Sequence, residues 1–322
     1  MTFYLKYRPQ TIDDLDTASV RETLSNIIKS GNIPHALLFT GPKGIGKTST
    51  ARILAKIINC TSNKAMKPCN NCSSCLSITS GTNMDVIEMD AASNRGIDDV
   101  RVLRDVVKLA PSSLRAKVYI IDEAHMLTTE ASNALLKTLE EPPAHVYFIL
   151  ATTNPEKLID TIKSRTILIQ FTKATIDETK RSLQRIIKSE KLDIKEENLK
   201  KIIKIARGSF RDAVKLLEQY SKDENFLKNQ NILDAENFVS ILLSKDVDKA
   251  LSEVASAIKN GVSAENITME LLTVLQVKLL DEKSDDLIKL IGLILSVQEY
   301  NKVTPIEELP LELAVIKWCN IK

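Results

Sequence analysis

A glycine-rich segment near the start of the chain has the residue types and spacing of a phosphate-binding loop. Residues 41–48 read Gly-Pro-Lys-Gly-Ile-Gly-Lys-Thr and follow the apolar run Ala36–Thr40, which predicts a strand before the loop and a helix after it. Glycines let backbone N–H groups turn toward phosphate oxygens where a β-carbon would obstruct them. In such a loop the lysine reaches the β- and γ-phosphates and the threonine hydroxyl ligates Mg²⁺. The expected nucleotide-binding residues are Gly41, Pro42, Lys43, Gly44, Ile45, Gly46, Lys47, Thr48 and Ser49.

Four cysteines follow directly after the predicted P-loop helix, at Cys60, Cys69, Cys72 and Cys75. The last three form two overlapping Cys-x-x-Cys steps, and each step can clamp a metal ion through a tight turn. Four thiolates without a nearby histidine predict a closed, tetrahedral, structural Zn²⁺ site. The alternatives are an iron–sulfur cluster, four reduced thiols or two disulfides. Disulfides are disfavoured because the chain begins Met-Thr-Phe-Tyr, without an export signal.

Two further apolar runs end in polar residues. Val118–Ile121 leads into Asp122 and Glu123. Behind a P-loop, the aspartate is expected to hold Mg²⁺ through water and the glutamate to polarise the attacking water as a base. The run 149–151 leads into Thr152-Thr153-Asn154, which would place neutral hydrogen-bonding groups beside the γ-phosphate; an ordinary turn before the next proline is the alternative.

Two isolated arginines lie at the start of predicted elements, at Ser164-Arg165 and in Gly208-Ser-Phe-Arg211-Asp. Arginine suits the charge that develops on a transferring phosphate because its guanidinium is planar and permanently charged. By chemistry alone, either arginine could equally form a surface salt bridge.

The elements that must position these residues alternate in the first half of the chain. Helical patterns such as Ile97–Leu109 and Glu130–Leu139 separate five short apolar runs, which is the layout of a doubly wound parallel sheet with its ligand site at the carboxyl ends of the strands. After about Phe171, helical periods dominate to the end. The predicted strands are Ala36–Phe39, Val86–Met89, Val118–Ile121, Val146–Ala151 and Ile167–Ile169.

Composition predicts a soluble, intracellular protein of two or three domains, since 322 residues with 43% hydrophobic side chains allow ample core. A net charge of +2 does not by itself require a nucleic-acid partner. The longest apolar stretch, Leu287–Val297, is too short to span a membrane and contains Lys289.

In their order and spacing, these motifs resemble the gamma/tau subunits of bacterial DNA polymerase III, the AAA+ ATPases of the sliding-clamp loader. The cysteine quartet between the P-loop helix and the second strand is the specific marker. The resemblance covers essentially the whole chain, and extends to Lys6-Tyr-Arg-Pro9, to residues 135–143 (Leu-Leu-Lys-Thr-Leu-Glu-Glu-Pro-Pro) and to residues 309–313 (Leu-Pro-Leu-Glu-Leu).

The resemblance implies three domains. They are an α/β P-loop AAA+ domain over residues 1–173 with a zinc module inserted at 60–75, an all-α lid over 174–243, and an all-α collar for oligomerisation over 244–322. ATP, Mg²⁺ and Zn²⁺ are the implied ligands, and the cytoplasm is the implied location.

The resemblance also implies roles for single residues. Thr153 corresponds to a sensor of the γ-phosphate, and Arg165 to an arginine finger projected into the ATP site of a neighbouring subunit. Arg211 corresponds to a second sensor that acts on its own subunit's nucleotide. The residues implied to border the adenine are Tyr7, Arg8 and Pro9.

The implied partners are other copies of the chain, delta- and delta-prime-type subunits in a pentamer, the sliding clamp and primed DNA. Ser93, Asn94 and Arg95 open a predicted helix and are candidate DNA contacts; an ordinary helix start is the alternative. Thr166 stands where the family has cysteine, and the edge of the adenine pocket near Asp16 departs from the pattern. Without a tau-type tail, a gamma-like form or a truncated sequence is expected.

Two other classes are weighed against this interpretation. A non-hydrolysing delta-prime-type subunit usually has a degraded P-loop, whereas Lys47, Thr48, Asp122 and Glu123 are all present here. A Holliday-junction branch-migration helicase would lack the cysteine quartet and would need strands in its third domain.

Overall fold

The fold was derived from a computed structural model, which describes residues 2–62, 68–93, 106–224, 226–229, 234–301 and 303–320, together with Gly96, Val100 and Leu103. Five strands form one sheet in the order β2-β3-β4-β1-β5, and all neighbouring strands run parallel. Each strand predicted from the sequence lies within one residue of its observed bounds, so the predicted α/β sheet is confirmed. The strands are β1 Ala36–Thr40, β2 Val86–Asp90, β3 Lys117–Asp122, β4 Val146–Thr152 and β5 Ile167–Gln170.

The P-loop strand β1 lies inside the sheet, hydrogen-bonded to β4 on one side and to β5 on the other. Its last residue, Thr40, is in register with Thr152 of β4 and Gln170 of β5. Because parallel strands end at the same edge, the residues that follow β1, β3 and β4 meet there. This edge carries the P-loop, the acidic pair and the Thr-Thr-Asn segment.

The first compact unit comprises Met1–Lys222. Its helices among the described residues are α1 Phe3–Lys6, α2 Ala18–Lys29, α3 Lys47–Asn59, α4 Ser73–Ser80, α5 Thr129–Glu140, α6 Asp160–Lys163, α7 Ile176–Glu190, α8 Glu196–Ala206 and α9 Phe210–Lys222. Short 3₁₀ turns lie at Ile12–Asp14, Ala124–Met126 and Pro155–Lys157.

Alternating side chains of the strands fill a hydrophobic core on each face of the sheet. On one face Leu37 and Phe39 of β1 pack in a cluster with Leu54 of α3. On the other face Leu38 packs in a cluster with Leu135 of α5. Continuous burial of β1 explains why its sequence is an unbroken apolar run.

The second compact unit comprises Asp223–Lys322, and its described elements are helical. Sequence reasoning put Ala235–Leu243 at the end of the lid, but its apolar side chains lie in the core of the second unit. The buried Trp318 Nε1 donates a hydrogen bond to the Leu242 carbonyl at 2.6 Å. The helices are α10 Phe226–Asn229, α11 Ala235–Leu243, α12 Val247–Lys259, α13 Ala264–Glu282, α14 Asp285–Tyr300 and α15 Leu309–Asn320.

Some expectations fall on residues that the structure does not describe. Asn94, Arg95 and much of the predicted helix Ile97–Leu109 lie outside the described residues. Within the described part of the chain, no helix combines the length and the apolar character needed to cross a membrane.

Candidate active site and metal centre

The P-loop connects β1 to α3 through three glycines with positive φ, at Gly41, Gly44 and Gly46. A β-carbon on Gly41 would lie 2.1 Å from the carbonyl oxygen of Phe171, so backbone packing requires glycine there. The loop ends at the first residue of α3, Lys47. The N–H groups at the start of α3 therefore face the loop that the sequence assigns to phosphates.

Lys47 is 7% exposed, and its Nζ donates to the carbonyl oxygens of Gly41 at 2.7 Å and Pro42 at 2.9 Å. Burial lowers the pKa of Lys47, although the carboxylates of Glu123 and Asp122 act in the opposite direction. A buried ammonium held by loop carbonyls is compensated better by an anionic ligand than by neutral oxygens. The lysine therefore favours phosphate in this loop.

The hydroxyl of Thr48 and the carboxylate of Asp122 meet across the loop, with 2.6 Å between Oγ1 and Oδ2. Hydroxyl and carboxylate oxygens are the hard ligands that Mg²⁺ prefers. Their closeness fits a site in which both residues surround one divalent cation, directly or through water.

Glu123 follows Asp122 in a left-handed backbone conformation, with φ of 48°. Its Oε2 accepts a hydrogen bond from Thr153 Oγ1 at 3.0 Å and lies 3.5 Å from His125 Nδ1. The same ring nitrogen lies 3.0 Å from Thr152 Oγ1. Strained backbone at a carboxylate that carries two polar contacts is typical of a functional position. The structure thus brings the expected base and the expected γ-phosphate sensor into contact.

A cleft opens beside the P-loop. Tyr7, Arg8 and Pro9 line it, together with the acidic pair and Arg211. The backbone N–H of Arg211 donates to the Gly44 carbonyl at 3.2 Å, so α9 is attached to the P-loop itself.

The cleft also contains apolar and charged residues for which sequence reasoning gave no role. Phe210 and Val214 lie one helical turn apart on α9 and contribute an apolar wall. Their i, i+4 spacing predicts that the two side chains share one face of the helix. It does not predict which cavity that face lines. Asp16 is 7% exposed and pairs with Arg185 at 2.7 Å; no local pattern could join residues 169 positions apart.

Helices of the expected lid hold the N-terminal segment against the cleft. Tyr7 Oη donates to Glu190 Oε1 at 2.7 Å. The backbone N–H of Phe3 donates to Glu218 Oε2 at 2.9 Å. The segment expected to border the adenine is therefore positioned by α7 and α9, so displacement of either helix would disturb it.

Arg165 is not among the residues that line the cleft. Its Nε and a terminal nitrogen both lie 3.1 Å from Glu140 Oε2, and its other terminal nitrogen donates to the Thr161 carbonyl at 3.1 Å. The Arg165 side chain is 29% exposed. Of the expected DNA contacts, Ser93 is described and exposed.

The four cysteines converge, and their Sγ atoms all lie within 4.8 Å of one another. Cys69 and Cys75 are 4.0 Å apart at sulfur, close to the ~3.8 Å edge of a tetrahedron with Zn–S bonds of about 2.3 Å. Backbone N–H groups donate to Cys60, Cys69 and Cys72 at 3.3–3.4 Å. Hydrogen bonds from the backbone N–H groups of Asn71 and Cys72 lower the pKa of the Cys69 thiol. The four thiols can therefore hold a metal ion.

Sequence comparisons identify relatives over most of the chain. The profile of the family described as DNA polymerase III, delta subunit, matches residues 17–175. The DNA polymerase III subunit tau of Bacillus subtilis is 44% identical over 252 residues, covering 78% of this chain and 45% of the relative. That of Escherichia coli is 38% identical over 281 residues, covering 84% and 44%. The chain thus spans less than half the length of these relatives.

Structure comparison finds the Thermotoga maritima RuvB Holliday junction branch migration motor, with a TM-score of 0.51, 19% identity, and coverage of 96% of this chain and 91% of the other. At that identity the likeness concerns the fold alone. By sequence, the chain belongs to the family of bacterial DNA polymerase III gamma and tau subunits, to which it is homologous over most of its own length.

Proposed function

We propose that the chain binds ATP with Mg²⁺, hydrolyses it, and uses this cycle as the motor subunit of a DNA polymerase III clamp loader. The observation that carries the proposal is the meeting of Lys47, Thr48, Asp122, Glu123 and Thr153 at one edge of the sheet. Relatives named as DNA polymerase III subunits support the replication context.

In this proposal each residue acts at a stated atom. Lys47 Nζ leaves the carbonyls of Gly41 and Pro42 and binds the β- and γ-phosphates. Thr48 Oγ1 and Asp122 hold Mg²⁺, which would neutralise phosphate charge when bound. Glu123 accepts a proton from the attacking water. The hydrogen bond from Thr153 Oγ1 helps to align the carboxylate of Glu123.

Two arginines complete the proposed site. Arg211, which lines the cleft, acts as the sensor that links the lid to the nucleotide of its own chain. Arg165 lies outside that cleft and is partly exposed, which supports its proposed action as a finger on the nucleotide of a neighbouring subunit. To act on that nucleotide, Arg165 would have to leave its ion pair with Glu140 and bind phosphate instead.

The adenine is proposed to lie between the N-terminal segment and α9. Tyr7, Arg8 and Pro9 line the cleft, and so do Phe210 and Val214. Apolar and aromatic side chains suit a purine base, because its faces are poorly hydrated.

The proposed metal of the four cysteines is structural Zn²⁺, since the set is thiolate-rich and its sulfur spacing fits a tetrahedron. Four protein ligands would leave no open position for chemistry, so the metal would stabilise the module rather than act on ATP.

The proposed division of labour follows the expected domains, with the ATPase over 1–173, the lid over 174–243 and the collar over 244–322, except that Ala235–Leu243 is assigned to the collar, because its apolar side chains lie in the core of the second unit. Copies of the chain together with delta- and delta-prime-type subunits would form a pentamer in the cytoplasm and would load the sliding clamp onto primed DNA. Ser93, Asn94 and Arg95 are proposed to contact that DNA, since the free N–H groups of a helix start suit phosphate.

A second candidate is a delta-type subunit that does not hydrolyse ATP, which the delta-subunit profile favours. ATP hydrolysis separates the two candidates. Turnover should be measured with and without clamp and primed DNA, for the unaltered chain and for Lys47→Ala, in complex with its partner subunits. Turnover that is stimulated by DNA and clamp and lost in Lys47→Ala is expected. Nucleotide binding without turnover in any complex would favour the delta-type role.

A further inference from the structure

Lys56 is a charged side chain enclosed inside the first unit. It lies in α3, and 2% of it is exposed. Its Nζ donates to Gln10 Oε1 and to Asn70 Oδ1, both at 2.7 Å. A lysine buried to this degree is costly unless its charge is compensated, and both of these acceptors are neutral.

On one side, this lysine reaches the cysteine cluster. Asn70 lies between Cys69 and Cys72 in a left-handed conformation with φ of 58°, and its backbone N–H donates to the thiol of Cys75. A centre with four thiolates and one Zn²⁺ carries a net charge of −2. Lys56 supplies a buried positive charge beside it, which is compensated best when the metal is bound.

On the other side, Lys56 reaches the segment that lines the nucleotide cleft. Gln10, which accepts from Lys56, donates through Nε2 to the carbonyl of Arg8 at 3.0 Å. The Gln10 backbone N–H donates to Asp14 Oδ2 at 3.1 Å. Arg8 lines the cleft with its neighbours on both sides. One side-chain ammonium thus stands between the metal module and the adenine-side segment.

We propose that Lys56 is a positioning residue that couples the two sites, so that metal binding at the cysteines and nucleotide binding in the cleft strengthen each other. With the metal bound, Asn70 and Lys56 are held in place, and Lys56 orients Gln10 and the Arg8 backbone. Without it, Lys56 keeps its two neutral acceptors and the more distant carboxylate of Asp14, and the segment is held less firmly. The inference rests on the proposed nucleotide and zinc sites.

Coupling of two binding equilibria is reciprocal, so it can be measured from either side. The zinc-loaded and the chelator-stripped protein should be titrated with MgADP, which avoids turnover. Transfer of zinc to a colorimetric chelator should be timed with and without saturating MgADP. Removing zinc should weaken ADP binding about fivefold or more, and ADP should slow zinc transfer.

Gln10→Met is the decisive variant, because it cuts the link on the nucleotide side and leaves the lysine and the cysteines in place. It should fold and bind zinc stoichiometrically, with a melting temperature lowered only by the loss of one acceptor of Lys56, while ADP no longer slows zinc transfer. Lys56→Met should lose the coupling and also release zinc faster. Lys29→Met, an exposed lysine at the end of α2, is the control and should change neither measurement.

Zinc transfer is timed on folded, loaded protein, so the test does not require the stripped protein to stay folded. ADP binding that slows zinc transfer equally in Gln10→Met and in the unaltered protein would overturn the role of Lys56. ADP binding with no effect on zinc transfer in the unaltered protein would overturn the coupling. Absence of ADP binding altogether would instead remove the proposed nucleotide site, and the coupling with it.

Discussion

The nucleotide cleft and the cysteine cluster lie in the same unit but are assembled in opposite ways. The cleft gathers side chains from Phe3 to Val214, and its separate segments meet only in the folded unit. The cysteines lie between positions 60 and 75 and are closed by hydrogen bonds from their own backbone. The first site depends on the whole fold, whereas the second depends mainly on its own segment.

The two sites also differ in whether a single chain supplies all the residues that each one needs. Four cysteines satisfy a tetrahedral metal within one chain. The cleft holds a P-loop, an acid pair and Arg211, while Arg165 lies elsewhere. Substitutions in the cleft should therefore change chemistry and assembly, and those in the module should change stability.

The largest expected effect tests whether the cleft is completed by another copy. Arg165→Ala should lower turnover of the assembled loader about a thousandfold or more, because an arginine on transferring phosphate stabilises its charge. ATP affinity of the isolated chain should stay nearly unchanged. Mixing Arg165→Ala chains with Lys47→Ala chains should restore activity where an intact P-loop faces an intact arginine.

Lys163→Ala is the control for that series, since it removes a neighbouring cation paired with Asp160 and should keep turnover. If no mixture is more active than either parent, Arg165 does not act across an interface. Its bond to Glu140 would then be its role.

Glu123→Gln tests the chemistry inside one cleft. Loss of the base should lower turnover about 10²- to 10⁴-fold, while ATP binding persists because the lysine and threonine are intact. Glu130→Gln, an exposed carboxylate in the first turn of α5, should leave turnover unchanged. Normal turnover in Glu123→Gln would show that another group accepts the proton.

Cys72→Ser tests whether the module acts through stability. Stoichiometric zinc should be lost, and the melting temperature should fall, because metal binding in such modules contributes folding free energy. Cys319→Ser removes the fifth cysteine, which lies in the second unit, and should keep the metal. Full metal content in Cys72→Ser would contradict the four-cysteine site, and metal content is measured directly on reduced protein.

The smallest expected effect concerns close packing at the P-loop. A β-carbon on Gly44 would lie 2.2 Å from Ser209 Oγ, whereas one on Gly31 would meet nothing within 4 Å. Both glycines have positive φ. Gly31→Ala should lower the free energy of unfolding by about 1–2 kcal/mol. Gly44→Ala should lower it by about 1–3 kcal/mol more and weaken ADP binding. Equal losses in denaturant titrations of the two variants would contradict the predicted clash with Ser209.

The sheet could be predicted closely from the sequence because its strands are buried on both faces. Lys117–Asp122 and Val146–Thr152 appear as short apolar runs with polar ends, and the motifs follow them. Residues near one another in sequence, such as the cysteines, were likewise recognisable as one cluster.

Other parts of the fold could not be predicted as well from the sequence. The helix Ser73–Ser80 contains serine and threonine at many positions, which favour caps and turns over helix interiors. The pairing of Asp16 with Arg185 joins distant segments, and tertiary packing alone decides it. The helix Ala235–Leu243 was recognised as a helix, but periodicity does not tell which core buries its apolar side.

The place of β1 between β4 and β5 has a consequence for the order of folding during synthesis. About a hundred residues must leave the ribosome after β1 before its first hydrogen-bonded neighbour, Val146–Thr152, is available. Closing so long a loop is entropically costly and slow, whereas the cysteine segment can close soon after it emerges. A chain ending at residue 145 should therefore leave residues 36–40 open to proteases, while the cysteines already retain metal.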